Sequence, residues 1–154
     1  MINRSAWFVA PFLAALFVFC AGCQSTGAAA QDNVLSSPRV HYIEIVCTDV
    51  EEQCAALESV HGVTFGEAVP ALGGARVAVM PSGSRFAVRA PMAAHETPIV
   101  RTYIAVDDIA QAVKDAEAAG GMIAYPPTVQ GDTGAWAIYI QGGAQMGLWQ
   151  PPAG

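Results

Sequence analysis

Apolar and polar positions along the chain repeat one succession of elements twice. Arg39 to Cys47 alternates around β-branched residues, the period of a half-buried strand. Asp49 then opens a helix-like run to His61, which Gly62 closes. Three short apolar stretches follow, near Val63 to Phe65, Arg76 to Met80 and Arg85 to Arg89, each bounded by Gly or Pro and each predicted as a strand. The second round starts with a strand from Val100 to Val106. Asp107-Asp108 opens another helix, in which Ile109, Val113 and Ala116 keep helical spacing until Gly120-Gly121 stops it. Strands at Met122 to Tyr125, Ala135 to Ile140 and Gln145 to Gln150 complete it. Asp49 to Asp108 spans 59 residues and Val88 to Leu148 spans 60, so helix starts and last strands recur with nearly one period.

The order is βαβββ in each round. One such unit leaves an apolar sheet face uncovered, whereas two can share that face. The predicted fold is therefore α+β: two βαβββ modules forming a curved, roughly eight-stranded cup with the helices outside. The domain covers residues 39–150, with 151–154 as a short tail.

The N-terminus follows other rules. Arg4 precedes an apolar run from Ala6 to Cys20, interrupted by Pro11 and shorter than the roughly 20 residues a membrane span needs. Cys20-Ala21-Gly22-Cys23 then resembles the processing box of bacterial lipoproteins, though Cys20 stands where that box usually has Leu. The resemblance implies a signal peptide over 1–22 and lipidation of Cys23, with ordinary secretory cleavage near Ala28 to Ala30 as the alternative. Gln24, where Asp would favour the inner membrane, points toward the outer one. Residues 23–38 are rich in Ser, Ala, Gln and Gly, lack the apolar surface to pack, and read as a flexible tether. The expected location is the bacterial cell envelope, anchored by lipid and facing the periplasm.

Charge narrows the partners. The whole chain carries 7 basic and 13 acidic residues; without Arg4 the counts are 6 and 13, a net of −7. Nucleic acid is thus a poor partner. No nucleophile elbow, phosphate-binding glycine loop or paired-cysteine metal motif is present. Cys47 faces the helix layer with Ile43 and Ile45, and Cys54 lies on the helix stripe that packs back onto that strand. Two pictures stay open for them, a disulfide in an oxidising compartment or two buried thiols.

The segments "HYIEIVCTD", "YIAVDDIAQAVKDAEAAGGMIAYPP" and "GAWAIYIQGGAQMGLWQ" resemble the vicinal-oxygen-chelate superfamily, which includes glyoxalase I, bleomycin-resistance proteins and extradiol dioxygenases. In its metal-dependent members, the resemblance implies, ligands stand on the first and last strands of each module. Here those places map to Tyr42, Ala87, Arg101 and Gly147, none of them a usual ligand. No metal or other cofactor is therefore expected. Strand alternation turns His41 away from the cup, and His61 and His95 fall at a helix end and in a loop. The same alternation aims Tyr42, Glu44, Arg85, Arg89, Arg101, Tyr103, Gln145 and Trp149 inward, with Tyr42, Glu44, Arg89, Arg101, Tyr103 and Trp149 as the candidate ligand-binding set.

Arginines beside aromatic rings suit an anionic or planar ligand. The leading expectation is a membrane-tethered, metal-free small-molecule-binding protein. A second is a glyoxalase- or dioxygenase-type lyase or isomerase with a displaced metal site and Glu44 as base. A third is a non-catalytic envelope interaction protein whose cup is plugged, with Glu44 pairing Arg89 or Arg101 and the rings, Trp136 included, as filler. A homodimer is implied by analogy with relatives only.

Overall fold

The computed structural model describes residues 38–152; the stretches read as signal peptide (1–22) and tether (23–38), with Cys23, lie outside the described residues except for Pro38. Eight strands form one sheet that does not close into a barrel: β1 (Val40–Val46), β2 (Ala68–Val69), β3 (Ala75–Val79), β4 (Arg85–Arg89), β5 (Ile99–Ala105), β6 (Met122–Val129), β7 (Ala135–Gln141) and β8 (Ala144–Gln150), in the spatial order β2-β3-β4-β1-β5-β8-β7-β6. Two helices join them, α1 (Val50–His61) and α2 (Ile109–Ala118). Each begins at an aspartate whose side chain accepts a backbone amide one turn on, Glu52 N to Asp49 at 2.9 Å and Gln111 N to Asp108 at 3.0 Å. Gly62 ends α1 in the left-handed conformation, at φ 64°.

The repeat has a spatial meaning. At the centre of the sheet β1 and β5 run antiparallel, with Tyr42 opposite Tyr103 and Glu44 opposite Arg101. Each is flanked by the last strand of its own module in parallel, β4 beside β1 and β8 beside β5. A local two-fold axis therefore passes between β1 and β5 and exchanges the modules.

Alternation then sorts the side chains. Ile43, Ile45, Phe86 and Val88 pack with Cys54 under α1, and Leu148 and Ala137 pack with Ile109 under α2. Tyr42, Ala87, Tyr103, Ile138 and Trp149 form a separate cluster on the opposite, cup side. The two-layer plan with helices outside is as the periodicity predicts.

Two elements differ. Val63 to Phe65 is not a strand: both residues are buried beneath α1, but the Phe65 amide donates to Glu58 Oε1 at 2.8 Å and its carbonyl accepts from Arg76. Side chains take the backbone groups a ladder would have used, and β2 forms only later, over two residues. β6, by contrast, runs on past Tyr125 through Pro126 and Pro127. It is an edge strand with register shifts at those points, so prolines lacking an N–H interrupt no interior ladder.

Candidate functional site: a charge-balanced aromatic cup

The floor of the cup is built from β1, β4 and β5. Glu44 is held from both sides: Arg89 Nε donates to Oε1 at 2.7 Å, while Arg101 Nη1 and the Tyr103 hydroxyl (3.0 Å) donate to Oε2. Arg89 also forks onto Glu96, with Nη1 2.8 Å from one carboxylate oxygen and Nη2 2.6 Å from the other. Arg101 places Nε and Nη2 on Gln145 Oε1. Glu44, Arg89 and Arg101 are all buried, and their charges, with that of Glu96, sum to zero. The Arg89 pair holds the Glu96 carboxyl down, at about 2, and bonding to Glu96 in turn raises the guanidinium above its ordinary value. Burial, with Glu44's charge adding to it, pushes the Tyr42 and Tyr103 phenols well above their usual range, so both stay protonated at neutral pH.

Rings make the wall. Trp149 stacks on Tyr42 with centroids 5.1 Å apart and meets Tyr103 edge-on at 5.9 Å, and its indole N–H donates to the Thr133 carbonyl at 3.1 Å. His41 departs from the expected orientation. It is the extra residue where the β1–β5 register shifts between Val40 and Tyr42, and a bulge of this kind breaks the alternation that would have turned it outward. Its ring lies 5.4 Å from that of Trp149, and Arg85 Nη1 sits 3.0 Å from Nε2. Arginine only donates, so Nε2 is an acceptor and the imidazole is neutral. Burial, with Arg85 and Arg39 adding to it, lowers its pKa to about 4. Arg85, paired with Tyr42 across the ladder and engaged by His41, does not line the cavity, although strand alternation assigns it there.

The cavity measures about 510 Å³, within the usual range for small-molecule sites. Tyr42, Glu44, Arg89, Arg101, Tyr103 and Trp149, the six residues singled out in the sequence, all line it, as does Gln145. Trp136 lines it too, with its indole N–H on Gln130 Oε1 at 2.6 Å, so it is wall as well as filler. Sequence reasoning passed over Glu96, Met92, Leu72 and Tyr125. Glu96 and Met92 sit in the segment between modules, where no strand periodicity assigns a face. Tyr125 belongs to an edge strand whose register shifts at that residue. His95, in the loop where the sequence places it, is exposed at the cavity's border, and His61 is exposed with its ring 5.3 Å from Phe86.

The four superfamily ligand places do not suit a divalent cation. Arg101 brings a positive charge, and any side chain at Gly147 would collide with the Tyr103 ring. Ala87 has no donor, and among the described residues no group of three or more His, Cys, Asp or Glu side chains converges. Cys47 and Cys54 share one apolar cluster, as the face argument predicts, but the bridge considered between them is not formed. Both thiols are free, the Cys47 sulfur lies 3.3 Å from the Asp49 carbonyl, and burial raises both thiol pKa values.

No family model and no curated protein matches this sequence. Solved structures do match the fold. Methylmalonyl-CoA epimerase from Mycobacterium tuberculosis superposes with a TM-score of 0.58 at 14% identity, covering 74% of this chain and 88% of that one. A hypothetical protein from Bacillus halodurans C-125 gives 0.60 at 12% identity, covering 77% and 97%. A methylmalonyl-CoA epimerase in complex with methylmalonyl-CoA and NH4+ gives 0.56 at 16%, covering 75% and 96%. These neighbours are of the vicinal-oxygen-chelate type, and at such identities the likeness establishes that this domain has their fold.

Proposed function

We propose that the domain is a small-molecule-binding module of the vicinal-oxygen-chelate type, working without a metal, tethered to the bacterial envelope through lipidated Cys23. The observation that carries this is the cavity itself: an apolar, ring-lined wall closes over a few convergent polar groups, the usual make-up of a ligand site. A structural neighbour solved in complex with methylmalonyl-CoA supports small-molecule binding on this fold, while the CoA ester itself is not carried over. Glu44, the base in an enzyme reading, already spends both oxygens on three donors.

One observation favours a second reading. Among the described residues no buried side-chain polar atom lacks a partner, which suits a plugged cup serving as an envelope interaction surface. Native mass spectrometry of the detergent-extracted chain from cells separates the two. The proposal expects a small-molecule adduct that Trp149→Ala abolishes; a bare wild-type mass, with no response of tryptophan fluorescence to aromatic acids or amides, overturns it. Cys23→Ser is expected to move the protein out of the membrane fraction and remove its acyl mass. Metal content below about 0.1 equivalent, with a melting temperature indifferent to chelator, is the matching expectation for the cup.

A further inference from the structure

The two carboxylates that balance the arginines are held differently. Glu44 stands on the central strand β1 with its side chain 10% exposed. Glu96 comes from the segment joining the modules, residues 90–98, which has Pro91 near one end and Pro98 at the other, and its side chain is 20% exposed. Glu96 covers the outer edge of Arg89 with both oxygens, at 2.8 and 2.6 Å, and Oε2 also accepts from the Met92 amide at 2.7 Å. A free carboxylic acid would make the same fork on an arginine.

We propose that the face of Arg89 now covered by Glu96 is the carboxylate subsite of the cup, and that an aromatic carboxylic acid occupies it by displacing Glu96. This rests on reading the cup as a small-molecule site and names the class of molecule. Exchange of one carboxylate for another keeps Arg89 paired, so no buried charge is stranded. A neutral ligand cannot make that exchange.

The segment is placed to move with its glutamate. Met92, Ala93, His95, Glu96 and Thr97 all line the cavity, while Met92, His95 and Thr97 are exposed to solvent. Its internal ties are the Glu96 amide on the Ala93 carbonyl at 2.9 Å and the Met92 amide on Glu96 itself. The second tie ends when the carboxylate leaves, so displacement and loosening of the segment are one event. Arg89 stays in place, because its Nε remains on Glu44.

Competition with a tethered group sets the selectivity. Glu96 acts at high effective concentration, which a bare small anion cannot match at ordinary concentration. A ring against Trp149, Trp136 or Tyr125 adds stacking that Glu96 lacks, and this tips the exchange. The cup thereby rejects both free anions and neutral aromatics in favour of molecules that combine the two features.

The test titrates benzoate and its neutral analogue benzamide into the full chain and its Glu96→Ala variant, read by calorimetry and tryptophan fluorescence. Benzoate is expected to bind the variant on the order of tenfold tighter than wild type, with benzamide changed less than about twofold, because only the acid competes with Glu96. Acetate is expected to raise the melting temperature of the variant and leave that of wild type unmoved. Should Glu96→Ala not fold, Glu96→Gln keeps an amide oxygen for Arg89 but gives up the charge, and benzoate should still gain about threefold. Equal benzoate affinity in wild type and variant overturns the subsite. If benzamide still binds in that case, the cup survives as a ligand site, whereas binding of neither probe to either protein removes both readings.

Discussion

Exchanged through the two-fold axis between β1 and β5, Tyr42 of the first module corresponds to Arg101 of the second, Glu44 to Tyr103, Ala87 to Gly147 and Arg89 to Trp149. None of the four pairs is alike. The first module supplies Glu44 and Arg89, and the second supplies most of the rings along with Arg101. Because the axis sets each position opposite one that is not its own mate, Glu44 faces Arg101, and Tyr42 faces Tyr103. A symmetric pair of modules would have set two glutamates diagonally across the axis. The unlike residues at these positions give instead an internal ion network and a stacked wall.

Removing the hub of the network should break the comparison most severely. Glu44→Ala leaves Arg89 with Glu96 as its one carboxylate and Arg101 with only the neutral Gln145, both guanidiniums buried. The expected loss is about 3 to 5 kcal/mol in urea unfolding. Tyr103→Phe, at the two-fold mate, removes one hydrogen bond to Glu44 and should cost about 1 kcal/mol. Similar costs for the two variants would mean that the charges are not the hub.

The bulge at His41 gives the next effect. Its counterpart one period on is Val100, which is 63% exposed, whereas His41 is buried against Trp149 and Arg85. The folded-state pKa of about 4 lies below the unfolded value of 6.5. Between those values the unfolded chain holds a proton that the folded one does not, so stability is full above pH 6.5, falls as pH falls, and levels off below about 4. At about 1.4 kcal/mol per pKa unit, a shift from 6.5 to about 4 corresponds to a wild-type loss on the order of 3 to 4 kcal/mol. His41→Phe keeps a ring against Trp149 and should flatten this part of the pH–stability curve; a parallel curve for the variant would assign the slope to other groups.

Much of this arrangement was legible in the sequence, and the residues show why. Tyr42, Glu44, Arg101 and Tyr103 sit on central strands, where alternation is strict because helices cover one face, and their register follows from the 59-residue repeat. His41 was misplaced by a single inserted residue, which period-two reasoning cannot see. Glu96 was invisible because its partner Arg89 is seven residues away across a segment with no regular structure. Val63 and Phe65 carry a strand's apolar pattern, yet Glu58 and Arg76 take the Phe65 backbone groups instead.

The pair Ala87 and Gly147 sharpens the comparison at smaller scale. Ala87 stands beside Glu44 in the ladder, and Gly147 stands beside Tyr103. The phenol ring lies flat over the glycine, and a Cβ there would overlap it. The glycine is thus a consequence of having a tyrosine where the first module has a glutamate. Gly147→Ala should cost about 1 to 3 kcal/mol and disturb the near-ultraviolet signal of the Tyr42–Tyr103–Trp149 group. A silent substitution would show that the ring has room to shift.

The helix starts, finally, are the place where the modules agree, and here the expected differences are smallest. Asp49 and Asp108 each accept one amide a turn on, at 2.9 and 3.0 Å, so truncating either to alanine should cost about 1 kcal/mol. The sites belong to different helices and share no partner, so the double variant should be additive to within about 0.5 kcal/mol. Charge separates what the hydrogen bond does not. α1 already carries Glu51 and Glu52 in its first turn, which satisfy the helix dipole and repel a third carboxylate, whereas the first turn of α2 has no acidic residue. Asparagine keeps the capping bond and removes the charge. Asp49→Asn should therefore be neutral, and Asp108→Asn should lose a few tenths of a kcal/mol, a gap that closes in high salt. A larger loss at Asp49 than at Asp108 would mean that the carboxylate of Asp49 serves something other than its helix.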